Sequence, residues 1–432
     1  MHFTLKEENY VVVENGSWRI KAGIGVSDTN QSPSVIISTE VAKQAESDFD
    51  KQNENLGQQE ISSTSDNSGP NSPDNTTQKV TVKEPIYICG SQLRELKESN
   101  NSIVTTFPIQ RGVIVNWEAL EALWRHIILK ELNIKRARNE CPVLVTVPNS
   151  WTKEHFERIA HIFFETFNAP GLYIANQALM TLYGIGCLSG LVVDVGYGKT
   201  EITPIIDCSV QYHAAITIPI GGQDFDEYFL SLLLSDTQFL MEYGETPDVE
   251  IARILKESDN ICEVLPDVNF IEDKPDRIEV EFNGRKITIG PERFQVVNPI
   301  FNPLLMKKEG ILSLPEAIYQ AISHCEPDKR NILWENIAFT GGSSLFKGFR
   351  ERLEKELNVY LYSSDNSGEY QIKEAKFLKL PEYFSTLKER PELAGYIGAA
   401  ITAKFSFPDP KGFINKVDYN EHGPSVVHTK SY

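Results

Sequence analysis

The run V-V-V-E-N-G (Val11–Gly16) is a short apolar stretch closed by an acid and a glycine turn. About 180 residues later it returns as L-V-V-D-V-G (Leu191–Gly196). Self-similarity at that distance is the mark of two similar lobes. Each copy is followed by a lysine, Lys21 or Lys199, and by a second strand-like segment. Two such hairpins facing each other could grip a polyphosphate from both sides, because glycine lets backbone amides approach an anion closely. That requires a cleft between lobes, a common place for a ligand. A third glycine element lies in I-A-F-T-G-G-S-S-L-F-K-G. An apolar strand ends at Thr340, Gly341-Gly342-Ser343 form a turn, and a charged amphipathic helix begins near Phe349. A strand–Gly-Gly–helix junction offers free amides to an anion or a purine edge.

Between these elements strands and helices alternate. E-A-L-E-A-L-W-R-H-I-I-L-K-E-L carries Leu120, Leu123, Trp124, Ile127 and Ile128 at helical spacing. C-P-V-L-V-T-V-P reads as a buried strand. A second helix is predicted with Phe156, Ile159, Ala160, Phe163 and Phe167 on one face, and L-Y-I-A-N-Q-A-L-M-T-L-Y-G-I-G as a strand and a helix ending in glycines. A chain of 432 residues exceeds what one core supports. Residues 41 to about 82 break the pattern: rich in Ser, Asn, Gln and acids, they cannot bury enough apolar surface to offset ordering entropy, and they read as a disordered insertion.

The net charge of −18 (42 Lys and Arg against 60 Asp and Glu) repels phosphate backbones, so direct DNA binding is not expected. Lys135-Arg136-Ala137-Arg138 reads as a solvated helix end. Six cysteines without CxxC spacing read as reduced thiols. No signal peptide and no run of membrane-spanning length are seen, so a soluble nuclear or cytosolic protein is expected.

These residues, in this order, resemble the actin family over nearly the whole chain outside the insertion. E-N-G-S-W-R-I-K-A-G-I-G is similar to the family's first phosphate loop; N-G-R-K-I-T-I-G-P-E-R-F-Q, F-T-G-G-S-S-L-F-K-G and the closing Y-N-E-H-G-P-S-V-V-H-T-K-S-Y are the most specific matches. The resemblance implies an α/β fold of two lobes, each a mixed five-stranded sheet with helices, forming four subdomains around a nucleotide cleft. Subdomain 1 would take residues 8–34, 108–183 and 399–432; subdomain 2, 35–107; subdomain 3, 184–219 and 309–398; subdomain 4, 220–308. The insertion falls where actin grips its filament neighbour, so no actin-like filament is expected.

The resemblance also implies site residues. Asn15, Gly16, Ser17, Lys21, Asp194, Gly196, Gly198, Lys256, Glu257, Gly341, Gly342, Ser343 and Phe346 would hold ATP. Glu14 and Asp194 would hold Mg²⁺ through water. Gln177 and Glu201 are vestiges of the machinery that positions an attacking water. Departures from the family pattern are Glu14 for an aspartate, Trp18 for a glycine, Tyr197 for an aspartate, Glu201 for a histidine and Glu392 for a lysine. Altering several parts of a phosphoryl-transfer site costs orders of magnitude in rate, so useful hydrolysis is not expected. An empty cleft, with glycines serving turn geometry alone, is the alternative. Tyr183, Gly186, Ile397, Ile401 and Phe405 would line a groove for a partner helix. V-P-N-S-W-T-K-E-H-F-E-R-I and I-P-I-G-G-Q-D-F-D-E-Y-F look like the nuclear actin-related proteins of fungal SWI/SNF and RSC chromatin remodellers. That branch pairs as heterodimers on the helicase-SANT-associated helix of the motor subunit. The acidic surface suits a basic helix. A dynactin-type actin-related protein and an ATP-hydrolysing, polymerising one are the rival readings.

Overall fold

A computed structural model describes residues 9–25, 32–43, 86–99, 103–266, 277–282, 284–363, 374–382 and 384–430. Two large sheets carry the fold. In chain order their strands are β1 (Val11–Glu14), β2 (Arg19–Ile24), β3 (Val35–Ser38), β4 (Val143–Val147), β5 (Gly171–Asn176), β6 (Gly190–Val195), β7 (Thr200–Ile206), β8 (Ser209–Val210), β9 (Ile216–Ile218), β10 (Ile337–Thr340) and β11 (Ile414–Asn415). The first sheet runs β11-β5-β4-β1-β2-β3; the second runs β8-β7-β6-β10, with β9 also on β7. In each lobe a hairpin (β1–β2, β6–β7) is antiparallel, and its first strand lies parallel to a later one, β4 or β10. The duplicated sequence therefore marks duplicated structure. The first sheet has six strands, not five, because the two-residue β11 pairs with the start of β5.

The helical stripes pack as their spacing predicts. Leu120, Leu123 and Trp124 of α1 (Trp117–Arg125) are fully buried, as are Ile159 and Ala160 of α2 (Lys153–His161). Both helices then widen into π-type turns, His126–Glu131 and Ile162–Thr166, which keep Ile127 and Phe163 inward. Each buried Leu, Ile or Phe among them contributes about 1.5–3 kcal/mol by leaving water. The basic run 135–138 is exposed, in a short 3₁₀ turn beyond the first of these.

A third core joins the lobes. Helices α3 (Gln177–Ile185) and α7 (Ala394–Ser406) lie against each other between the facing sides of the two sheets, with Val12 and Leu144 from one sheet and Val192 and Ala338 from the other. Their backbones nearly touch: a Cβ on Gly398 would sit 1.8 Å from the Met180 carbonyl oxygen, and one on Gly184 2.1 Å from that of Ala394. Between them in chain order come α4 (Gly222–Leu233) and α5 (Val249–Glu257) of the second lobe, and α6 (Phe349–Ser363), which starts where the sequence predicts.

The expected insertion needs one correction. Val41–Lys43 form a strand paired with Tyr87–Cys89 and Thr105–Thr106, and Val41 and Ala42 are buried. The rest of that segment, 44–82, lies outside the described residues. Among the described residues no helix is long and apolar enough to cross a membrane, and all six cysteines are unpaired.

Candidate functional site

The carboxyl ends of β1, β6 and β10 point into one cleft of about 810 Å³. Open α/β sheets hold ligands at that edge. The cleft brings together all the residues assigned to nucleotide, metal and water positioning: Glu14, Asn15, Gly16, Ser17, Lys21, Gln177, Asp194, Gly196, Gly198, Glu201, Lys256, Glu257, Gly341, Gly342, Ser343 and Phe346.

Its floor is a set of acids and lysines. Lys21 Nζ donates to Glu14 Oε1 at 2.8 Å and to the Glu392 carbonyl at 2.8 Å. Lys199 Nζ donates to Glu201 Oε1 at 2.8 Å and to Ser150 Oγ at 2.9 Å. The hairpin registers explain the difference between the lobes. Lys21 stands opposite Glu14 in the first; Glu201, not Lys199, stands opposite Asp194 in the second. Burial, reinforced by the Glu201 and Glu14 carboxylates, pushes the Asp194 carboxyl up to about 7. Glu14 Oε2 is buried without a partner.

Several assigned residues line the cleft with polar groups already bonded within the protein. Asn15 accepts from Trp124 Nε1 (2.9 Å) and donates to the Thr146 carbonyl (3.1 Å), so its side chain anchors the turn and is not free for a nucleotide. Ser17 Oγ accepts from the Gly112 amide at 3.0 Å. The Lys256 ammonium lies 2.5 Å from Asp226, inside the lobe. Ser343 Oγ donates to the Gly196 carbonyl at 3.2 Å. Gly341, at φ 96°, crosses behind Asp194, where a Cβ would lie 2.4 Å from Oδ1. Gln177 Nε2 reaches Glu14 Oε1 only at 3.5 Å.

Trp18 and Tyr197, two of the departures from the family pattern, meet each other. Their ring centroids are 4.6 Å apart across the cleft. Phe107 stacks on Trp18 at 5.6 Å, and the Arg253 guanidinium of α5 lies 4.4 Å from the Trp18 ring. A second bridge was not predicted. Arg111, at φ 48°, donates through both terminal nitrogens to Asp224 (2.9 and 3.1 Å) at the start of α4; Lys308 reaches the same carboxylate at 2.5 Å. Burial opposes ionisation of Asp224, but the bonds from Arg111 and Lys308 outweigh it and hold the carboxyl below its usual range. The sequence signal available was the turn Gln110-Arg111-Gly112 and an acid three residues after Gly221, which caps α4.

The groove assignment needs correcting at one residue. Ile397 is fully buried in the core between the lobes and cannot line a surface groove. Ile401 and Tyr183 are half-buried, Gly186 ends α3 in a left-handed, exposed position, and Phe405 is 76% exposed. Exposed Leu188 lies two residues beyond Gly186 in the chain.

Duplicated hairpins and a strand–Gly-Gly–helix junction around one cleft define a two-lobed α/β protein of the actin-like ATPase-domain type. The pattern of the family described as Actin matches residues 5–432, and the chain belongs to the actin family. It is 27% identical over 527 residues to "SWI/SNF and RSC complexes subunit arp9" of Schizosaccharomyces pombe (strain 972 / ATCC 24843), covering 99% of both chains. It is 31% identical over 443 residues to "Actin-related protein 7" of Arabidopsis thaliana, covering 98% of this chain and 99% of the relative.

Proposed function

We propose that this protein is a non-filamentous, nuclear, actin-related subunit of a SWI/SNF- or RSC-type ATP-dependent chromatin-remodelling complex. It pairs with a second actin-related protein and binds the helicase-SANT-associated helix of the motor subunit. End-to-end similarity to a relative named as a subunit of those complexes supports this reading. The observation that carries it is the state of the cleft. Its lysines are spent on the chain's own acids, and its loop side chains on bridges between lobes. A partner, not a turnover cycle, is then the use of the molecule. Phe405, Ile401 and Tyr183 at the ends of α3 and α7 receive the helix; the negative net charge favours a basic one over DNA.

The cleft residues fit ATP with Mg²⁺. The unpartnered Glu14 Oε2 and the raised Asp194 mark a site short of positive charge. Gly16, Gly196, Gly198, Gly341 and Gly342 leave the loops without side chains. Among the described residues no three His, Cys, Asp or Glu side chains are grouped to hold a metal. Phosphate and water would complete the shell, as Mg²⁺ usually requires. A bound Mg²⁺-nucleotide would neutralise these carboxylates. Glu201 is tied to Lys199 and Gln177 leans on Glu14, so neither is placed to orient a water, and the protein holds nucleotide without hydrolysing it. Radiolabelled ATP binding with phosphate release on purified protein tests this. Turnover at actin-like rates or faster contradicts it.

A further inference from the structure

We propose that Trp18 is a latch: it fixes the two lobes across the cleft mouth without any ligand, and a cleft ligand enters or leaves only when it opens. Trp18 sits in the β1–β2 turn of the first lobe, at a position where a glycine would serve the turn alone. Three groups surround its ring. Phe107 belongs to the same lobe; Tyr197, in the β6–β7 turn, and Arg253, on α5, belong to the other. A cation over an indole face and an aromatic pair each add attraction beyond area burial.

The far side of the latch is braced. Arg253 pairs with Glu250 at 3.0 Å, and Tyr197 lies beside both Arg253 and the buried Asp226. Asp226 is itself held by Lys256 at 2.5 Å. Trp18 therefore meets a preorganised socket. The acids below it do not draw the lobes together, since Glu14 and Glu201 are each paired with a lysine of their own hairpin, Lys21 and Lys199. Attraction across the cleft lies in the rings above them, in the Lys199–Ser150 and Asn149–Thr203 bonds, in the exposed Arg19–Glu257 pair, and in the Arg111–Asp224 pair, whose left-handed arginine is a backbone cost accepted for a bond between lobes.

Hydrogen exchange on the ligand-free full-length protein tests the latch, read at the amides of Gly16–Arg19 and Gly196–Lys199. In the unsubstituted protein both loops exchange slowly, and added Mg²⁺-ATP changes the rates less than threefold. Trp18→Gly accelerates both loops tenfold or more and makes Mg²⁺-ATP slow them again. Arg253→Gln, which leaves the loop sequence untouched, accelerates both about threefold and keeps the proposal testable should Trp18→Gly fail to fold. Two results overturn the latch: exchange in the unsubstituted protein as fast as in Arg253→Gln, or more than tenfold slowing of the unsubstituted protein by Mg²⁺-ATP. The comparison of the unsubstituted protein with Arg253→Gln is made without nucleotide, so its failure is separate from failure of the ATP-holding reading.

Discussion

At the residue scale, the site is one of side chains already engaged. Asn15 illustrates the limit of resemblance: its place in the phosphate loop was legible, but its work is to join Trp124 to the β4 carbonyl at Thr146. Asn15→Ala leaves a buried indole N–H unpaired and is expected to cost about 2–3 kcal/mol in urea unfolding. Asp194 gives a pH signature. Its folded pKa, about 7, lies above the ordinary 3.8, so the native state binds the extra proton. Stability then falls as pH rises from about 4 through 7, and Asp194→Asn flattens that slope and stabilises the protein at pH 8 by about 1–2 kcal/mol. Equilibrium unfolding at several pH values checks both. The acids Glu14, Asp194 and Glu201 could each be named from sequence. Their crowding could not, because it depends on a hairpin register that sets Glu201 opposite Asp194.

At the element scale, periodicity located the strands and helices well. Glu14 and Asp194 closing their strands, and the apolar stripe Leu120–Leu123–Trp124, needed only local pattern. What local pattern misses is which face meets which neighbour. Ile397, Ile401 and Phe405 share a helical spacing, yet the first is fully buried, the second half-buried and the last open to solvent, since α3 lies across the front half of α7. Phe405→Glu is expected to leave the melting temperature within about 2 °C while removing binding to a motor-helix peptide. Ile397→Glu is expected to unfold the chain, because it buries a charge at a site with no exposure. Calorimetry and a peptide titration separate the two. Gly398→Ala is a further check on the crossing: the Cβ collides with the Met180 carbonyl, and a loss of about 3 kcal/mol or more is expected in the same unfolding assay.

At the scale of the whole molecule, duplication set the plan: two sheets, two loops, one cleft. The sequence repeat made that plan legible. The bridges that span the cleft were not, because Arg111 and Asp224, or Trp18 and Arg253, are far apart in the chain and share no motif. Arg111→Ala removes two bonds to a carboxylate with no exposure and leaves it to Lys308 and the Gly221 amide. A loss of about 2–3 kcal/mol in thermal or urea unfolding is expected. Lobes fixed in this way suit a subunit that presents a surface to a partner. The most direct test is affinity purification of the tagged full-length protein from its own cells, followed by mass spectrometry. A remodeller motor subunit and a second actin-related protein at near-equal amounts are the predicted result. Dynein-activator subunits, or sedimenting actin-like filaments without a remodeller motor, would contradict it.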